Sequence, residues 1–181
     1  SVPSGWPDGS RLDLTGIPAT DASAIAAFAG TAEAEAFLRF DRLARDLHAA
    51  FDGPVMQAPK PDIAAILKAT LTRPSLWPAL LPGVSLAGLV GRRFRDVRLQ
   101  QLFARYATYV GGRPGHAPGV LAVIWRAEAA GVWAVEGGMH RLALALADLA
   151  RGLGVDLRLA TPARRIVRQG GRVTGVQIAD G

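Results

Sequence analysis

An α+β fold follows from three features of the sequence. Apolar residues recur at three- and four-residue spacing through most of the first 130 positions, the mark of amphipathic helices. Short alternating runs stand near both ends, at Leu12 and Leu14 and again at Val155, Leu157 and Leu159, which is the period-two pattern of strands. Between Gly131 and Val167 a glycine pair, a helix and a strand pattern succeed one another, as in the middle of a mononucleotide-binding unit. We therefore expect a mostly helical domain with a small strand hairpin over residues 1–130, then a segment of helix plus strands over 131–181.

Each element has a local cause. In "SGWPDGSRLDL" a turn at Pro7-Asp8-Gly9 leads into the alternating Leu12 and Leu14, so the stretch reads as one side of a hairpin whose partner strand lies outside the visible sequence. From Thr20 to Phe51, Ile25, Phe28, Phe37, Phe40, Leu43, Leu47 and Phe51 fall at helical spacing. Gly30 separates two helices and Gly53-Pro54 ends the second. Prolines at 59, 61, 74, 78 and 82 then break the pattern into short helices joined by kinks. Asp96 is placed to cap a helix that turns Leu99, Leu102, Phe103 and Tyr106 inward, and a further helix runs from Pro118 to Ala130. After Gly131 come a helix from Gly138 to Arg151, a strand at "VDLRL", and a hairpin of "ARRIV" and "RVTGVQI" joined by Gly170-Gly171.

Composition narrows the chemistry. The chain has 181 residues, 50% of them hydrophobic, enough for one ordinary core or for parts of two domains. It has no cysteine, which removes disulfides, thiolate metal sites and cysteine nucleophiles together. No apolar run is long enough to span a bilayer, and no signal peptide opens the sequence. The first residue is Ser1 and the last residues stop on a turn signal, so a piece of a longer protein is expected. A net charge of +6 would suit a polyanion or an anionic membrane. The excess, however, is almost all arginine, with Lys60 and Lys68 the only lysines, in a chain rich in Ala, Gly and Pro. Those arginines are scattered from Arg11 to Arg172 without interleaved aromatics, so no nucleic-acid partner is expected.

Motifs are few. No G-x-G-x-x-G follows a strand pattern, and "GGRPG" at Gly111 to Gly115 has neither the spacing nor the helix after it. Gly137-Gly138 opens a helix, where free amides could face an anion or a flat ring, although a plain helix entry has the same pattern. His48, His116 and His140 have no second ligand at a metal spacing, and no G-x-S-x-G is present, so neither a metal site nor hydrolysis is supported. The stretch containing Leu76, Trp77, Leu80, Leu81, Leu86 and Leu89 before Arg92, Arg93 and Arg95 is composed like an interfacial helix, with Trp77, Leu80 and Leu81 as candidate membrane contacts. Core packing would produce the same composition. Phe103, Tyr106, Tyr109, Trp125 and Trp133 sit within or just after two helices, where they either fill a core or wall a tunnel for a long apolar ligand.

The run from Leu102 to Ile166, most specifically "RYATYVGG" through "GVWAVEGGMHRLA", resembles the phytoene desaturase family of flavoproteins, and within it the desaturases of hydroxylated carotenoids. The opening "WPDGSRLDL" resembles the start of that family's substrate domain. The resemblance implies that residues 1–130 are a helical substrate-binding domain and 131–181 a partial FAD-binding, Rossmann-like segment. It further implies FAD as cofactor, a phosphate loop upstream of Ser1, and desaturation of a carotenoid by removal of two hydrogens beside its polyene. On the same basis Gly137 and Gly138 lie near the flavin and Ala163 offers a backbone contact to its adenine end. Phe103, Tyr106, Tyr109, Trp125 and Trp133 would then line the carotenoid site, and no catalytic base is assigned. "GRPGHAP" departs from the family's pattern at Arg113 to His116. A substrate this insoluble implies a cytoplasmic protein peripherally attached to a membrane surface. A piece ending in strands could also form a homo-oligomer through exposed strand edges. A non-catalytic helical lipid-binding module is the competing reading, and a strand with G-x-G-x-x-G upstream would decide against it.

Overall fold

The computed structural model describes residues 2–179. They form two compact units, Ser1–Val132 and Trp133–Gly181.

The first unit opens with an antiparallel hairpin, β1 (Val2–Gly5) and β2 (Arg11–Leu14), with Gly5 opposite Arg11 and Ser4 opposite Leu12. The partner of the Leu12 strand is therefore in the chain, immediately upstream, and the expectation of a partner elsewhere is corrected. The turn closes locally: Asp8 Oδ1 accepts from the Ser10 backbone N–H at 2.9 Å and from its hydroxyl at 2.6 Å, and Gly9 supplies a φ of +82°.

Two antiparallel helices follow, α1 (Pro18–Ala29) and α2 (Thr31–Phe51), joined through Gly30 at φ +99°. Pro18 starts α1 where its missing N–H costs nothing. The chain does not stop at Gly53-Pro54 as expected. It continues through a wide π-helical turn, Asp52–Gln57, because a proline is tolerated where its absent donor falls in the first turn of a helical segment. The proline-punctuated stretch resolves into α3 (Ile63–Thr72), a 3₁₀ turn (Pro74–Leu76), α4 (Trp77–Leu80) and α5 (Leu86–Arg93), as the kinks require.

Asp96 caps α6 (Val97–Ala104), accepting from the Arg98 N–H at 2.8 Å. A 3₁₀ segment, Arg105–Val110, extends it and is closed by Gly111 in the left-handed region. The helix expected from Pro118 is a 3₁₀ turn, Gly119–Ala122, followed by α7 (Val123–Ala129). The core gathers where α2, α6 and α7 meet. Phe103 is fully buried there, with ring centroids 4.7 Å from Phe40, 5.0 Å from Phe94 and 5.7 Å from Trp125.

The second unit holds α8 (His140–Gly152) and an antiparallel hairpin, β3 (Ala163–Gln169) and β4 (Arg172–Ile178). Gly170 and Gly171, at φ +58° and +79°, make the two-residue turn that glycine pairs favour. "VDLRL" is not a strand: residues 155–158 are irregular and 159–160 form a turn. Alternation defines two faces, but a strand also needs a neighbouring backbone, and among the described residues this run pairs with none.

Candidate functional site

An apolar cavity of about 470 Å³, open to solvent on one side, lies in the helical unit. His48, Phe51, Asp52, Val55 and Met56 form one side, at the end of α2 and the π-helical turn after it. Ile66 of α3 and Leu80 of α4 form a second side, and Val120, Val123, Ile124 and Ala127 a third. Its origin is local. The π-helical turn Asp52–Gln57 contributes Asp52, Val55 and Met56 to the wall directly after Phe51 at the end of α2. The only polar side chains in the wall are His48 and Asp52. A space of this size and lining suits an apolar, chain-shaped ligand with one polar end, since it offers little to satisfy a buried polar group elsewhere.

A second cavity, of about 40 Å³, has room for about one water. Tyr106 donates its hydroxyl to Glu128 Oε2 at 2.5 Å beside it, and Arg105 Nη2 reaches Glu128 Oε1 at 2.6 Å. Burial, with the Glu128 carboxylate second, pushes the Tyr106 phenol above its ordinary range, so it remains a neutral donor. Burial works against the Arg105 charge, but hydrogen bonding with Tyr106 and the charge and hydrogen bond of Glu128 outweigh it and raise its pKa. Gly16 closes this corner. A Cβ there would stand 2.2 Å from the Ala129 carbonyl oxygen, and its φ of +83° already favours glycine. Asp21, fully buried, holds the same loop by accepting from the backbone N–H groups of Thr15 at 2.6 Å and Gly16 at 2.9 Å.

Of the five aromatic residues expected around a substrate, Phe103, Tyr106, Tyr109 and Trp125 form one chain of ring contacts, with centroids 5.7 Å apart for Phe103 and Trp125, 6.4 Å for Phe103 and Tyr106 and 6.1 Å for Tyr106 and Tyr109. Phe103 is interior to the ring cluster, Tyr106 and Trp125 are buried against the small cavity, and Tyr109 lies exposed on the 3₁₀ segment. Trp133 is in the second unit, 87% exposed. Of the three expected membrane contacts, Trp77 and Leu81 are exposed while Leu80 is half-buried and lines the apolar cavity. Leu76, Leu86 and Leu89 of the same stretch belong to the core.

Sequence reading missed the cavity wall. Ile66 shares a wall with Val120 and Ile124 only because distant segments of the chain converge there, which no local pattern reveals. It also missed Ile63, Leu67 and Leu71, exposed at four-residue intervals along α3. That spacing was readable, but the surrounding prolines drew attention to breaks rather than to a face.

In the second unit Gly137 and Gly138 both take positive φ, +77° and +89°, directly ahead of α8. A Cβ on Gly138 would meet nothing within 4 Å, so the backbone there is open to close approach. At this entry the Gly138, Arg141 and Leu142 amides already donate, to the Val135, Gly138 and Met139 carbonyl oxygens at 2.9, 3.0 and 3.1 Å. The open backbone at Gly138 leaves room for a flat ring to lie against it. Ala163 begins β3 opposite Ile178, at the end of the hairpin away from its turn. Among the described residues no His, Asp and Glu side chains group to hold a metal ion, and no helix is long and apolar enough to cross a membrane.

No protein-family model matches the chain. Among curated proteins it is 61% identical to the hydroxyneurosporene desaturase of Cereibacter sphaeroides over 97% of the chain and 36% of that protein. It is 54% identical to the protein of the same name from Rhodobacter capsulatus, again over 97% of the chain and 36% of the relative. The phytoene dehydrogenase of Streptomyces griseus is 33% identical over 93% of the chain and 33% of its own length. The chain thus spans about a third of the length of the curated relatives it matches. By sequence it is a relative of the hydroxyneurosporene and phytoene desaturases, matched to them along nearly all of its own residues.

Proposed function

We propose that this chain is part of an FAD-dependent carotenoid desaturase that introduces a double bond into a hydroxylated or methoxylated carotenoid. The carrying observation is the 61% identity to a hydroxyneurosporene desaturase over 97% of the chain. The apolar cavity supports the reading from an independent direction. A polyene with one oxygenated end matches a wall that is apolar except for His48 and Asp52. On this reading residues 1–130 bind substrate and 131–181 contribute to the FAD-binding domain. Bound FAD supplies the acceptor for the hydride removed from a saturated C–C bond beside the polyene. The chain's own residues orient the polyene and exclude water from it, which accounts for the lack of an evident catalytic dyad. Gly137 and Gly138 admit the flavin to the backbone ahead of α8, and Ala163 offers it a main-chain contact.

The apolar substrate arrives from a bilayer, and Trp77 and Leu81 dock the protein there peripherally, with Ile63, Leu67 and Leu71 adding apolar area. The test is incubation of the whole protein with FAD and a hydroxylated carotenoid. A product with one more conjugated double bond, and a visible spectrum shifted to longer wavelength, is expected. An unchanged carotenoid with flavin bound would contradict the reading.

A further inference from the structure

On the side of α4 away from the apolar cavity, Pro78 and Leu81 face Arg39 of α2 and Arg92 and Arg93 of α5 across a groove of about 490 Å³. Arg39 reaches Glu35 only at 3.8 Å, both side chains being well exposed. Arg92 and Arg93 form no ion pair among the described residues. Arg93 is half-buried and its Nε is enclosed with no hydrogen-bond partner. Burial first, and then the nearby charge of Arg39, lowers its pKa, so its positive charge is held at a cost. The last turn of α5 relieves part of that through its negative dipole end, but a dipole accepts no hydrogen bond from a guanidinium side. Glu33 forms no ion pair with it among the described residues: its Oε1 accepts from the Arg95 backbone N–H at 2.9 Å and its Oε2 is buried with no hydrogen-bond partner.

We propose that this groove holds the phosphate of a phospholipid headgroup at an anionic bilayer surface. Three arginines supply charge and planar donors that match phosphate oxygens. The other wall, Pro78, Leu81 and Val84, is apolar, which a soluble anion does not require and the glycerol and upper acyl carbons of a lipid do. Trp77 stands at the same ridge, its indole N–H held by the Thr70 carbonyl oxygen at 2.8 Å and its ring 41% exposed. Tryptophan in that setting belongs at the level of headgroups. The inference rests on the bilayer-docking part of the reading above and specifies its lipid chemistry.

The experiment is sedimentation of the whole, FAD-loaded protein with vesicles of phosphatidylcholine alone and of phosphatidylcholine with phosphatidylglycerol. The variants are Arg92→Gln with Arg93→Gln, Arg39→Gln alone on the exposed face of α2, and Trp77→Ser with Leu81→Ser. At roughly 1 kcal/mol per basic residue at a charged surface, each arginine removed lowers affinity for the anionic vesicles about fivefold. The double variant therefore loses about 25-fold there and keeps its weak binding to neutral vesicles. The Trp77 and Leu81 variant loses binding to both. Arg164→Gln with Arg165→Gln, on the exposed β3 hairpin, gives the baseline for loss of charge alone. A double arginine variant that matches this baseline overturns the proposal, as does an unaltered Arg39→Gln. Displacement from vesicles by millimolar inorganic phosphate also overturns it, in favour of a soluble anion. Loss of neutral-vesicle binding in no variant would instead remove the docking reading itself.

Discussion

The two units of this chain treat their apolar residues in opposite ways. In the helical unit Phe103, Phe40 and Phe94 are enclosed by one another, each at most 1% exposed. In the second unit Leu149 and Ile166, on α8 and β3, are 60% and 61% exposed, and no residue of α8 or the hairpin is buried. Apolar content is similar, so the difference lies in neighbours. α2 is flanked by α1 and α7 and the aromatic rings close between them, whereas a single helix and a two-stranded hairpin have too little surface to build a core. The helical unit closes a core, and the second unit leaves its apolar residues in the open.

The sharpest way to break that contrast is to truncate one residue in each unit. Phe103→Ala is expected to cost about 3–5 kcal/mol in denaturant unfolding of the helical unit. Ile166→Ala in the same chain is expected to change the unfolding of the second unit by less than about 0.5 kcal/mol, since its side chain already meets water. Comparable costs at the two sites would erase the distinction.

Gly16→Ala probes how tightly the helical unit closes around its hairpin. The added carbon meets the Ala129 carbonyl, so a loss of about 2 kcal/mol or more is expected in thermal unfolding. Tyr106→Phe removes one donor from Glu128 and keeps the ring, with an expected cost of about 1–1.5 kcal/mol. Its dependence on pH is expected to be flat below the ordinary tyrosine range, because the phenol is held neutral.

Within the helical unit the smallest loss is expected at its rim. Asp96→Ala removes the α6 cap at a cost of about 1 kcal/mol. The hydrogen bond from Arg98 holds the Asp96 carboxyl below its usual range, with burial opposing it more weakly. A depressed folded-state pKa means this contribution is complete above about pH 4 and lost as pH falls further. The gap in stability between parent and variant should therefore shrink under acid, which a melting series from neutral pH downward would read.

Much of the fold could be read because its signals are local. Gly30 between two periodic runs, Asp96 ahead of Leu99, and the Gly170-Gly171 turn each specify their own neighbourhood. The β1 strand escaped notice because Val2–Gly5 is short and carries no alternation of its own, and "VDLRL" misled because alternation says nothing about a partner. The site was less legible. Tyr106 and Trp125 have the chemistry of a pocket wall, yet buried rings and wall rings share one sequence pattern. The cavity depends on Ile66, Leu80 and Ile124, which lie far apart in the sequence and share one wall only in the fold. The relation to desaturases was legible throughout, because it rests on residue identity along the whole chain rather than on geometry.

The central claim, that the helical unit of a desaturase takes a polyene into its apolar cavity, is tested most directly by filling that cavity. Ala127→Phe places a ring at its wall, at an exposed position of α7. For the whole protein carrying this substitution, at unchanged melting temperature, the dissociation constant for a hydroxylated carotenoid is expected to rise at least about tenfold, a loss of about 1.4 kcal/mol. Undiminished carotenoid affinity in the filled variant would contradict the account.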